Sequence, residues 1–503
     1  MRRPILTLTL ALAALAAAVA PAAAQSGTLR IGMGVIPSNP DPAFDTHSLA
    51  LFAYNQMFDT LVVADDKGHL QGALVVSWRV LSDKLTWQFK LREGVKFHNG
   101  EDWDGAALKF NLERNADPKV RSNWRTRTNE IAQIDVLDRH TVNVVTKRPW
   151  AVLLKDLMAL GMVPPKYYAQ VGLDGFSRAP VGTGPFKFKA YDKLSHLTLE
   201  AAAGAWRGKP GVAEVVFRRL PEAATRVAAL EAGEIDVAVD VPVEDVERLK
   251  AKRLGFKAPN IAQPQIVILK STVDSPLKDV RVRQAINYAV NKDAIVKSLL
   301  LGYGRVSNGQ LVGPDAYGFN PELKPYPYDP ERARKLLAEA GHANGFEINF
   351  DGTEGRYPKD KEVEEAIVAQ LGKVGVRVNF KIVDSSVYIR DYITGKLGPM
   401  FILGQQYHPS FDLNQGTPNY KSAAPHKLLA SPEFDALYDA QASEMDPARR
   451  LALLHKMGAW FREAAPVLFL HQFQTVFGVQ PRVKGFEPRA TSGADLVKVT
   501  LDK

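Results

Sequence analysis

The residue types that carry out chemistry occur in this chain, but not in the spacings catalysis needs. Ser275-Pro276-Leu277-Lys278 has the Ser-x-x-Lys spacing in which a lysine can activate a serine, yet the Lys-Thr-Gly element that accompanies it elsewhere is missing. There is no His-Glu-x-x-His, no Gly-x-Ser-x-Gly and no nucleotide-binding glycine fingerprint. Gly182-Thr183-Gly184-Pro185 has glycines but not the Lys-Ser/Thr ending of a phosphate cradle. The ten histidines are scattered. His408 and Asp412 stand four apart, but Pro409 between them opposes the helix that would align them on a metal. Cysteine is absent, which excludes a disulfide framework, a thiolate metal site and a thiol nucleophile. No metal, cofactor or catalysis is expected. What remains is recognition by amides, aromatics and isolated charges. Trp124, in Arg121-Ser122-Asn123-Trp124, is one such group: its indole can stack on a ligand or a cation, or simply fill a core.

Elements of both periods would position these groups. Thr28 to Met33 reads as an opening strand, and Leu85 to Leu91 alternates as a half-buried one. Leu49, Ala53, Met57 and Leu61 recur at helical spacing. Glu222 to Ala232 is helical, Gly233 stands where a left-handed helix terminus belongs, and Ile235, Val237 and Val239 alternate as a strand. Asp329-Pro330 opens a capped helix that Gly341 closes, and Asp446-Pro447 opens another that Pro466 stops. Residues 346–350, 360–374 and 376–382 form a strand–helix–strand unit. This alternation is that of an α/β protein.

At 503 residues the chain is too long for one core, so two or more lobes are expected. Arg2 and Arg3, the apolar run from Ile5 to Ala20 and the Ala22-x-Ala24 site form a cleavable secretory signal peptide over 1–24. The run is short for a membrane anchor. With no cysteine to carry lipid, the mature chain is expected to move freely in a periplasm. Formal net charge is +9, two units of it from Arg2 and Arg3. The basic residues are interspersed with acids, so a nucleic-acid partner is not expected.

Five ordered blocks then resemble the family 5 extracellular solute-binding proteins, the oligopeptide-, dipeptide- and nickel-binding type of ABC importers. They are Leu74 to Trp78 with Leu85 to Gly100, Pro180 to Lys187, Leu230 to Val237, Leu277 to Val290, and Tyr328 to Leu337. The Ser275–Lys278 pair overlaps the start of the fourth block, which accounts for it without catalysis. The resemblance implies a two-lobed periplasmic binding protein (type II, cluster C-like) with an extra subdomain and a central ligand cleft. Lobe I would take 26–59, 176–262 and 474–503, the extra subdomain 60–175, and lobe II 263–473. The chain would be a monomer that encloses a short peptide or peptide-like solute and delivers it to an inner-membrane ABC permease. A sugar or opine-like conjugate, a metal chelate, or a receptor role are the alternatives.

The resemblance also suggests ligand contacts. Peptide binders of this family carry an aromatic and an aspartate after the strand Met400 to Leu403, the aspartate pairing with the peptide ammonium. Here Gln405, Gln406 and Tyr407 occupy that stretch, uncharged, and Asp412 follows as a substitute carboxylate. Two amides and an aromatic suit a neutral polar solute or a capped peptide. Trp124 matches a pocket tryptophan of the nickel-binding relatives. Phe44 and Asp45 lie in the 38–47 loop that faces the cleft in relatives.

Overall fold

The computed structural model describes residues 27–65, 68–491 and 493–502, so the expected signal peptide at 1–24 lies outside the described residues. Three sheets organise the chain. A seven-stranded sheet has the order Gly255–Lys257, Val476–Val479, Val237–Val241, Thr28–Met33, Glu214–Arg219, His196–Ala201, Phe186–Asp192. Its centre is parallel: Thr28–Met33 runs alongside both Glu214–Arg219 and Val237–Val241. A six-stranded sheet has the order Gly304–Val306, Val467–Gln474, Asn260–Leu269, Met400–Gly404, Phe346–Gly352, Val376–Ile382. A four-stranded antiparallel sheet, formed by Val75–Val80, Thr86–Leu91, Thr141–Thr146 and Ile131–Asp138, is inserted between the first strand of the seven-stranded sheet and the next.

The chain passes between the two large sheets at two adjacent points. Gly255–Lys257 belongs to the first sheet and Asn260–Leu269 to the second; Val467–Gln474 belongs to the second and Val476–Val479 to the first. Two such short connections permit one body to rotate against the other.

The Asp329 and Asp446 caps that the sequence advertises are made, and Asp104 adds a third. The Asp329, Asp446 and Asp104 side chains accept the N–H groups of Arg332, Arg449 and Ala107 at the starts of helices Pro330–Glu339, Pro447–Ala464 and Gly105–Ala116. Gly233 is left-handed, with φ of 72°. Trp87, Phe89 and Leu91 are buried core residues. Gly182 matters by close approach: a Cβ there would stand 2.1 Å from the Met57 carbonyl oxygen.

Candidate functional site

A cleft of about 1880 Å³ opens between the bodies, lined by loops from all three sheets. Its volume exceeds the roughly 300–1,000 Å³ of ordinary small-molecule pockets. Charge lines it, and each charge is held by a local device.

Arg356 is held by the loop before helix Asp360–Gly372. The Asp360 carboxylate accepts the N–H groups of Gly355 at 3.0 Å, Arg356 at 2.9 Å and Tyr357 at 3.2 Å, folding the loop around itself. The Arg356 Nε–H donates to the Tyr357 hydroxyl at 3.1 Å, and that hydroxyl also accepts the Gly404 N–H at 2.9 Å. The guanidinium lies over the Tyr357 and Tyr388 rings.

Arg127 sits on the short helix Arg125–Thr128, its guanidinium 4.7 Å from the Trp124 ring centroid. Asp156 stands near it. Burial pushes that carboxyl up to about 6, against the opposing pull of Arg127 and the Trp150 indole N–H donated at 2.9 Å. Arg219 also reaches the cleft. Among the described residues, Arg127, Arg219 and Arg356 have no ion pair, unlike Arg148, which is neutralised by Glu130 at 3.1 Å.

Asp240, near the end of strand Val237–Val241, is the complementary group. It lines the cleft with its side chain exposed, and desolvation raises its pKa against Arg226, His47 and a hydrogen bond from Thr475. Among the described residues, no group of three or more histidine, aspartate or glutamate side chains converges to hold a metal.

This layout has counterparts. The profile of the bacterial extracellular solute-binding proteins, family 5 Middle, matches residues 69–425. The glutathione-binding protein GsiB of Pectobacterium atrosepticum is 32% identical over 370 residues, covering 72% of this chain and 70% of that protein. The periplasmic binding protein DppA of Helicobacter pylori, solved in complex with the peptide STSA, is 27% identical with a TM-score of 0.81, covering 95% of this chain and 99% of that one. NikA of Brucella suis, solved with Fe(III)-EDTA, is 25% identical with a TM-score of 0.83 over 95% and 100%. The chain belongs to the bacterial extracellular solute-binding proteins, family 5.

This family 5 protein is therefore a solute-binding protein of the ABC-importer class, with the two-lobed α/β architecture. No described helix is long and apolar enough to cross a membrane.

Of the seven contacts expected from sequence, Gln405 and Gln406 line the cleft. Gln405 accepts the Tyr420 hydroxyl at 3.2 Å, and Gln406 donates to Ser48 at 2.9 Å, linking the bodies. Tyr407 points away. It is 0% exposed, its hydroxyl donates to Asp315 at 3.0 Å and accepts from Gln472 at 2.7 Å, and it holds the connections together instead. Asp412 is no substitute carboxylate: at 1% exposure it is consumed by Lys155 and Arg450. Trp124 is buried at 1% exposure and donates to the Pro42 carbonyl at 3.0 Å, so it meets the cleft only through Arg127. Phe44 is half-buried and does not line the cleft. Asp45 accepts the N–H groups of Ser38 and His47 and stands behind His47, which does line it.

Sequence reasoning missed Arg127, Arg356 and Asp240. Each had a signal. Arg127 follows the singled-out tryptophan by three residues. Arg356 precedes a helix start. Asp240 interrupts the apolar run from Val237 to Val243.

Proposed function

We propose that this protein captures a short peptide or peptide-like solute bearing carboxylate groups and delivers it to an inner-membrane ABC permease. One observation carries the reading. Guanidinium groups face the cleft from the subdomain side, Arg127, and from the six-stranded body, Arg356; among the described residues neither has a carboxylate within ion-pair distance, Asp156 standing near Arg127 but beyond it. A partly desolvated guanidinium calls for an anion, and its planar fork suits a carboxylate. The 32% identity to a glutathione-binding protein supports the same chemistry, since that tripeptide carries two carboxylates.

In this reading lobe I comprises 26–59, 176–262 and 474–503, the subdomain 60–175 and lobe II 263–473. The mature protein acts as a periplasmic monomer after removal of residues 1–24, without lipid anchor, nucleic acid or catalysis. Solute contacts both bodies only when they close, so binding shifts the population toward the closed form, the shape a permease reads.

Isothermal titration with reduced γ-Glu-Cys-Gly, α-linked tripeptides, their esters and Fe(III)-EDTA tests this. Free acids should bind, their esters at least tenfold more weakly, and Arg127→Ala and Arg356→Ala should each weaken the acids. Tight binding of the chelate alone would replace the peptide reading. Equal binding of acids and esters would refute the carboxylate role.

A further inference from the structure

Lys155 is seated in a socket made by a part of the chain other than its own. Its helix, Leu153–Leu157, belongs to the inserted segment and buries Leu153, Leu154 and Leu157, which leaves Lys155 on the opposite side. Just before that helix the Ala151 N–H donates to the Ala442 carbonyl at 2.8 Å, so the inserted segment rests here on helix Pro432–Ser443 of the six-stranded body. The Lys155 ammonium then stands 2.7 Å from Asp412 Oδ2 and 4.6 Å from the centroid of the Tyr317 ring.

The socket is braced independently of Lys155. Arg450 donates to both Asp412 oxygens, at 2.8 and 2.9 Å, and to Gln441 at 3.0 Å. The Asn414 N–H donates to Asp412 at 2.8 Å. The Tyr317 N–H donates to the Phe411 carbonyl at 2.8 Å, and the Tyr317 hydroxyl donates to the Pro447 carbonyl at 2.7 Å. All of these partners lie within 263–473. If the inserted segment withdraws, Lys155 alone leaves, and Asp412 stays neutralised by Arg450. Lys155, Asp412, Arg450 and Tyr317 are not among the residues that line the cleft.

Two other ion pairs join the six-stranded body to the rest of the chain, and both are open to water. Arg148 and Asp439, at 3.7 Å, are 39% and 47% exposed, and Lys359 and Glu244, at 2.7 Å, are 29% and 48% exposed. Solvent screening leaves such pairs little weight. Lys155 and Asp412 are 12% and 1% exposed, so their attraction acts at a lower effective dielectric. Burial lowers the Lys155 pKa most, Asp412 opposes it and Arg450 adds to it. The hydration lost by the ammonium thus offsets part of the attraction, and the contact is releasable.

We infer that Lys155 is the latch of the closed form: its ammonium leaves the Asp412–Tyr317 socket as the bodies part and re-enters it as they close over solute. This rests on the two-body closure proposed above. Lys155 is then a positioning residue. It seats the inserted segment, and Arg127 with it, against the six-stranded body without touching solute. Its contribution to affinity is therefore the same for every solute that requires closure.

Cysteine is absent from the chain, so nitroxide labels on Glu113→Cys and Lys456→Cys, both exposed positions, report the distance between helices Gly105–Ala116 and Pro447–Ala464. Without solute, Lys155→Met should move the distance distribution toward longer separations. Tyr317→Leu, which removes the ring from the other body, should do the same, so the inference stays testable if one variant misfolds. Lys155→Arg keeps the charge and should match the wild type. In isothermal titration Lys155→Met should weaken reduced γ-Glu-Cys-Gly and its ester by the same factor, at least threefold. Unchanged distances together with unchanged affinities overturn the inference. A loss confined to the free acid also overturns it, since Lys155 would then act on the solute. If the tripeptide does not bind the wild type, the peptide-like reading fails, and the solute-free distances still decide the latch.

Discussion

Replacing Asp412 by asparagine should loosen the contact between the bodies rather than remove a ligand contact. Asp412 Oδ2 stands 2.7 Å from Lys155 Nζ and 2.8 Å from one Arg450 terminal nitrogen, and Oδ1 is 2.9 Å from the other. At an effective dielectric of about 20, each contact is worth about 6 kcal/mol of attraction, set against several kcal/mol of lost hydration for each ion. Asparagine removes the attraction and leaves two buried cations facing each other. The expected cost is about 3–5 kcal/mol, that of breaking a buried pair. Burial alone would raise the Asp412 carboxyl; Arg450 and Lys155 override it and hold it far below the usual carboxylate range. A depressed folded-state pKa gives stability that is present above about pH 4 and lost below it. The wild type should therefore lose stability below about pH 4 in a way that D412N does not. The consequence reaches function because the triad spans the bodies. Lys155 is on helix Leu153–Leu157 of the inserted segment, whereas Arg450 is on helix Pro447–Ala464. Thermal denaturation should show a midpoint lowered by several degrees, and small-angle scattering a larger radius of gyration without solute. If D412N melts with the wild type yet no longer binds solute, Asp412 is a ligand contact and the argument is wrong.

Other outcomes follow from the same geometry. Tyr407→Phe leaves Gln472 and Asp315 short of a partner and should cost about 1–3 kcal/mol in denaturant unfolding, with solute affinity changed less than twofold. Gly182→Ala forces a methyl against the Met57 carbonyl and should cost about 1–3 kcal/mol in the same assay. Glu364 is fully buried, and burial pushes its carboxyl up to about 9. Because its folded-state pKa exceeds the unfolded value of about 4.3, the wild type loses stability as pH rises from about 4 to 9. Glu364→Gln should match the wild type near pH 4 and exceed it by roughly 3–5 kcal/mol at pH 8. An unchanged difference across that range would mean the carboxyl ionises freely.

Much of the fold was legible because it depends on local signals that repeat. Asp-Pro openings, glycine terminations and alternating apolar runs specify helices and strands over a few residues. The strand–helix–strand unit appears as Phe346–Gly352, Asp360–Gly372 and Val376–Ile382, its strands parallel. Helix Ser48–Met57 stops four residues short of the Leu61 that the apolar spacing reaches. Phe58 is extended there, and Leu61 is buried against the core from outside any helix. A periodic stripe records what is buried, not where the hydrogen-bonded turn ends.

The binding surface was less legible, since unpaired charge is a property of three dimensions. Asp412 looks in sequence like a spare carboxylate; only the fold brings Lys155, 257 positions away, onto it. Arg127, Asp240 and Arg356 look like ordinary surface charges, and only the fold leaves them lining one cavity with no ion pair among the described residues. The uncharged Gln405 and Gln406 suggested a neutral solute because they occupy the place where relatives carry an acid. A cleft's preference is nevertheless set by the field of all its walls, at distances of several ångströms where desolvated charges still act.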